Sequence, residues 1–65
     1  MNRVINKELV QIGGSEVIEE VIVEERYLFF KITRTYRKVH GDVFLYNGSS
    51  YKSVPFWIDA NEFFK

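Results

Sequence analysis

A chain of 65 residues with no cysteine, one histidine and a formal net charge of +0 is too short for a second domain and cannot carry a disulfide framework. A domain of this size buries roughly 60% of the surface its unfolded chain exposes, and natural scaffolds this small rely on disulfides, a metal or a partner subunit. With the first two closed by composition, association with a second copy is expected, and we read residues 1–65 as a single small β domain that works as a homodimer.

Residue usage favours sheet. Val, Ile, Thr, Phe, Tyr and Trp fill 27 positions, whereas Ala, Leu and Met together fill five; the first group suits a pleated, half-buried surface and the second is what a helix would use. Met1 to Gln11 mixes charged and polar residues among apolar ones, unlike a signal peptide, and no apolar run approaches the ~20 residues of a membrane span. The cysteine-free composition suits a reducing compartment. We therefore expect a soluble, cytoplasmic protein with no membrane partner.

In chain order, the first expected strand covers 3–12 and ends at Gly13-Gly14-Ser15, a turn signal. Segment 16–24 follows. Its Val17, Ile18, Val21, Ile22 and Glu25 also fit a helical stripe with Ser15 as N-cap, but five of the ten residues from 16 to 25 are Val or Ile, and β-branched side chains weigh towards strand.

Five acids (Glu16, Glu19, Glu20, Glu24, Glu25) crowd this segment, and the next fourteen residues, Arg26 to Val39, contain none. If 16–24 folds back on 26–37 through a reversal at Glu24 to Arg26, one register sets Glu16 opposite Arg34 and Glu19 opposite Lys31. Opposite charges facing across strands stabilise a pair by a few tenths to about 1 kcal/mol. Segment 26–39 alternates Leu28, Phe30, Ile32, Arg34 and Tyr36 with Tyr27, Phe29, Lys31, Thr33 and Thr35. Its first half, apolar on both faces, should be covered on both sides; Arg34 to Lys38 should project as a hairpin arm.

His40-Gly41-Asp42 and Asn47-Gly48-Ser49-Ser50 signal two more hairpins, with strands at 43–46 and 51–58. Asn47-Gly48-Ser49 also matches a glycosylation pattern, here read as a turn. Pro55 cannot donate to a ladder, so the last strand should lie at an edge or break. Asp59 with Glu62 three residues on resembles a capping box. One helical turn should then fold Phe63 and Phe64 over the sheet, with Phe56, Trp57 and Ile58 also closing the core. The expected fold is mainly β, an antiparallel meander of four or five strands in an SH3-like or OB-like half-barrel, ending in one helical turn.

The side chains offer little reaction chemistry. His40 is the sole histidine and falls in a turn, a poor place to hold a catalytic base. His40 and Asp42 supply two ligands where zinc takes three or four. Glu19/Glu20 and Glu24/Glu25 are sequence neighbours, which a strand points to opposite faces. No phosphate-binding glycine pattern is present. We expect no enzyme activity, no metal and no cofactor.

Binding is better supported. From residue 26 to 52 six basic residues face one acid, for a local charge of +5, with seven aromatics among them; small β-barrels bind single-stranded nucleic acid with that mixture. A sequence pI of about 6.6 gives little long-range attraction to a polyanion, however. Tyr, Trp and Arg also dominate protein interfaces. The favoured expectation is a small phage or mobile-element protein that binds and inhibits or adapts a host protein. Its contacts would be Arg34, Tyr36, Arg37, Lys38 and His40 on the hairpin arm, and Glu19, Glu20, Glu24 and Glu25 as a second face. Trp57 is an additional contact candidate whose primary role should be core. The alternative is nucleic-acid binding through the basic-aromatic hairpin around residues 34–40.

Overall fold

The computed structural model describes residues 2–65. Five strands follow one another: β1 (Asn2–Ile12), β2 (Glu16–Arg26), β3 (Lys31–Val39), β4 (Asp42–Tyr46) and β5 (Tyr51–Ser53), then a 3-10 turn at Ala60–Phe64. Each pairs antiparallel with the one before it, giving one open sheet of order β1-β2-β3-β4-β5. The protein is thus mainly β, as expected, with five antiparallel strands in one open sheet. β1 and β5 remain as edges.

Segment 16–26 is strand throughout, as its β-branched content favoured. The three glycine-bearing turns fall where expected. At His40-Gly41 both residues adopt positive φ, 52° and 86°, between the paired Val39 and Asp42. That backbone matches the right-handed twist of the flanking strands.

The β2–β3 reversal lies further along than expected. Arg26 pairs with Lys31 and the Tyr27 N–H donates to the Phe30 carbonyl at 2.7 Å, which makes Leu28 and Phe29 the apex. The register moves with it: Glu19 faces Lys38, not Lys31, and Glu20 faces Arg37. The expected pairing of Glu16 with Arg34 is not formed. An odd displacement also changes which β2 and β3 side chains share a face. As a result Tyr36 lies opposite Val21, and the supposed arm from Arg34 to Lys38 runs through the middle of the sheet.

One face forms the core. Val21 and Val23 on β2, Tyr36 on β3 and Ala60 of the 3-10 turn are buried, with Val43, Leu45, Val54, Ile58, Phe63 and Phe64 packed around them. The rings of Tyr36 and Phe63 lie 5.2 Å apart. Phe63 and Phe64 therefore cover the sheet as expected, but Phe56 and Trp57 are 95% and 73% exposed and do not close the core. β5 stops at Ser53, two residues before Pro55, so segment 54–58 leaves the sheet rather than extending the strand to 58. The capping box is also absent: Asp59 makes no side-chain cap bond. The turn is held instead by the Glu62 N–H donating to the Asp59 carbonyl at 3.2 Å and by the ring packing below it.

The core is thin, so single methyl groups count. Val21→Ala, at a fully buried position, should cost about 2 kcal/mol from lost burial and the cavity left behind. Val17→Ala, 56% exposed on the same strand, should cost under about 0.5 kcal/mol. Urea denaturation of both variants measures this, and equal losses would refute the packing described.

Candidate interaction surface

β2 carries its carboxylates between two neighbouring strands, and the adjacent residues neutralise them. Glu20 and Glu24 are buried, at 8% and 7% exposure. The Arg37 Nε donates to Glu20 Oε2 at 2.7 Å, its Nη1 donates to the Tyr51 hydroxyl at 3.1 Å, and its guanidinium carbon lies 3.7 Å from the centroid of the Tyr46 ring. Such a guanidinium is held by charge, hydrogen bonding and ring stacking together. Phe44, Tyr46 and Tyr51 complete the cluster, with ring centroids 6.1 Å (Phe44 to Tyr51) and 4.9 Å (Tyr46 to Tyr51) apart.

Three further β2 acids, Glu24, Glu25 and Glu16, are engaged as well, whereas Glu19 makes no ion pair among the described residues. Glu24 draws three cations: Arg26 at 3.5 Å, Lys31 at 3.6 Å and Arg3 at 3.9 Å. Glu25 accepts hydrogen bonds from the Tyr27 hydroxyl and the Arg34 guanidinium. Glu16 lies 2.8 Å from His40 Nε2, and Glu19 faces Lys38 in the register. Among the described residues no buried side-chain nitrogen or oxygen lacks a hydrogen-bond partner.

The ten residues that the sequence nominated as contacts are therefore not two independent surfaces. Arg34 and Arg37 are joined to Glu25 and Glu20 within the sheet, and His40 meets Glu16 at its exposed end, while Glu19 and Lys38 share a register position without an ion pair. Tyr36 is 1% exposed and belongs to the core, which removes it as a contact. Trp57 is the reverse case, expected in the core and found 73% exposed.

The exposed surface the sequence reading missed is the β2–β3 tip. Tyr27, Leu28, Phe29 and Phe30 are 43%, 88%, 90% and 58% exposed, and Tyr27 stacks on Phe30 with centroids 4.7 Å apart. The tip is stiffened from below, because the Tyr27 hydroxyl also holds Glu25. A run of four apolar residues is the available signal, but side chains apolar on both faces of a strand point to cover on both sides, and the stretch holds no Gly, Pro or Asn to mark a turn. Phe56 and Trp57 make a second exposed apolar spot, their rings edge to face at 5.3 Å, beside the β3–β4 turn at the far end of β3.

Beyond the end of β4, where Lys31 to Arg34 has no β4 partner, an open hollow of about 580 Å³ is lined by Thr33, Arg34, Thr35, Tyr46, Asn47 and Lys52, among others. Among the described residues no three His, Cys, Asp or Glu side chains converge as metal ligands, and no helix is long and apolar enough to cross a membrane. No protein-family model, curated protein or solved structure matches the chain.

The Tyr27–Glu25–Arg34 triad has a pH signature. The Tyr27 hydrogen bond, offset in part by burial and aided by Arg34, holds the Glu25 carboxyl below its ordinary value of 4.5. The same bond to Glu25 raises the Tyr27 phenol above its ordinary 10.0. A depressed carboxyl contributes stability that is complete above its unfolded value and lost as pH falls through its folded one; a raised phenol contributes stability lost as pH rises past 10. Glu25→Gln should therefore flatten the fall in stability below pH 4.5. Urea midpoints measured from pH 6 down to about pH 3 check this, and parallel curves for variant and parent would contradict it.

Proposed function

We propose that this chain is a non-enzymatic binding module that docks on a protein target by seating its β2–β3 tip in an apolar recess of that target. The carrying observation is the apex itself, where Leu28 and Phe29 are 88% and 90% exposed at the end of an ion-paired hairpin. Folding gives no return for holding these two side chains in water. Transfer of each into a partner's pocket is worth about 1.5–3 kcal/mol, and the hairpin beneath is already ordered, so little conformational entropy is lost on docking. The target is inhibited or adapted by occupancy, with no bond made or broken, and the cysteine-free composition suits a cytoplasmic meeting place.

The internal charge pairing also weighs between partner classes. Binding a polyanion depends on cations free to displace counterions. Here Arg34 and Arg37 are each committed to a β2 carboxylate, which lowers the field that residues 26–52 would otherwise present. A convex apolar knob favours a concave protein surface over a phosphate backbone.

Leu28→Ser/Phe29→Ser tests the reading. The variant should keep the parent's urea midpoint, since neither side chain is buried, and should lose the target in a tagged pull-down from lysate. The parent should keep that target after nuclease treatment and should not sediment with lipid vesicles. Loss of the complex on nuclease treatment would favour nucleic acid, sedimentation with vesicles would favour a lipid surface, and unchanged capture by the variant would remove the tip from the interface.

A further inference from the structure

The two edges of the sheet are protected very differently. β5 is three residues long with a proline two positions beyond it, and short edges near proline do not recruit further strands. β1 is an 11-residue strand whose outer side is unpaired, and its residues 2–9 are all exposed. Charge and bulging ordinarily guard such an edge. Here Lys7, one of two charged side chains at mid-strand, donates its ammonium to the Lys65 carbonyl at 3.2 Å.

The bulge gives β1 a particular symmetry. Val4 pairs with Val23 and Asn6 with Ile22, leaving Ile5 as the extra residue. Without it Arg3 and Glu8 would lie on opposite faces. With it both lie on the face away from the core, Arg3 across from Glu24 and Glu8 across from Glu20. Each also has unsatisfied charge. Arg3 is the most distant of three cations sharing the Glu24 carboxylate, at 3.9 Å. Glu8 stands beside a second carboxylate, and among the described residues it makes no ion pair.

We infer that β1 pairs antiparallel with β1 of a second copy, about a two-fold axis at Asn6. In that register Asn6 faces Asn6, each copy's Val4–Ile5 bulge faces Lys7 of the other, and Arg3 faces Glu8 at two symmetric positions. Every facing pair shares a face of the joined sheet, as an isologous interface requires. The surplus cation of one copy meets the surplus carboxylate of the other, twice. A register placing Lys7 against Lys7 would instead set like charges together. The result is one ten-stranded sheet. Because the Asn2 end of β1 lies beside the β2–β3 tip, the two tips project from opposite ends, and a protein that binds by its tip becomes a bivalent bridge. The pairing itself does not depend on what the tip binds.

Sedimentation equilibrium should give a parent mass of twice 7.8 kDa at high concentration. Glu8→Arg, which faces Arg3 with a like charge twice, should weaken the dimer about tenfold or more, and Arg3→Glu/Glu8→Arg should restore it. Since Arg3 also approaches Glu24 within its own chain, a second measurement stands apart from charge. Asn6→Cys, in a chain with no other cysteine, should cross-link under mild oxidation about tenfold faster than Gln11→Cys, because strand partners across the axis lie within disulfide reach. A monomeric parent, a dimer indifferent to Glu8→Arg, or equal cross-linking at the two positions would overturn the pairing. Any of these would leave the tip reading standing, since the tip variants have an unaltered β1.

Discussion

A strand bearing five carboxylates has been placed second in the sheet, with a neighbour on each side, and that placement governs the rest of the structure. Removing a carboxylate from water costs several kcal/mol unless a cation and hydrogen bonds replace the lost hydration. Glu20 and Glu24, both under 9% exposed, are the sharpest cases. Arg37 answers the first by a direct hydrogen bond at 2.7 Å, and Arg3, Arg26 and Lys31 gather around the second. The positive charge of β3 and its flanks is thus used to hold β2.

This commitment decides which surface is left for a partner. Charges fixed to one another across a sheet are poor at recruiting anything else, and Arg26, Lys31, Arg34 and Arg37 of the basic stretch all stand in such pairs. Large apolar side chains are left in water at both ends of β3: Leu28 and Phe29 at one, Phe56 and Trp57 at the other. Monomeric proteins rarely leave grouped large apolar side chains exposed without a use for them. The ion pairs stiffen the hairpin, and the proposed contact is its apex.

Much of the architecture was legible in the chain. Gly14, Gly41 and Gly48 marked three reversals because positive φ there leaves few other residue choices, and the β-branched content of 16–25 decided strand over helix. The β2–β3 register was not legible, because several alignments of five acids with five bases give opposite charges something to face. What selects among them is the position of the turn, and Tyr27-Leu28-Phe29-Phe30 carries no turn residue to announce it. The same four residues hid the exposed tip, since an apolar run reads as buried strand unless its neighbours show that nothing covers it. Trp57 and Phe56 misled for a related reason: a small core is filled by Phe63, Phe64 and Ile58, which leaves no volume for two further rings.

The central claim, that the opposite charges of β2 and β3 serve each other before they serve any partner, is tested most directly by a double-mutant cycle on Glu20 and Arg37, using Glu20→Gln, Arg37→Gln and the pair, in urea denaturation. Because both side chains are largely shielded, at 11% and 14% exposure, the account predicts a coupling of about 1–3 kcal/mol, with the double variant more stable than the single losses would sum to. A coupling within about 0.3 kcal/mol of zero would contradict it, and would return the charged residues to the surface as free contacts.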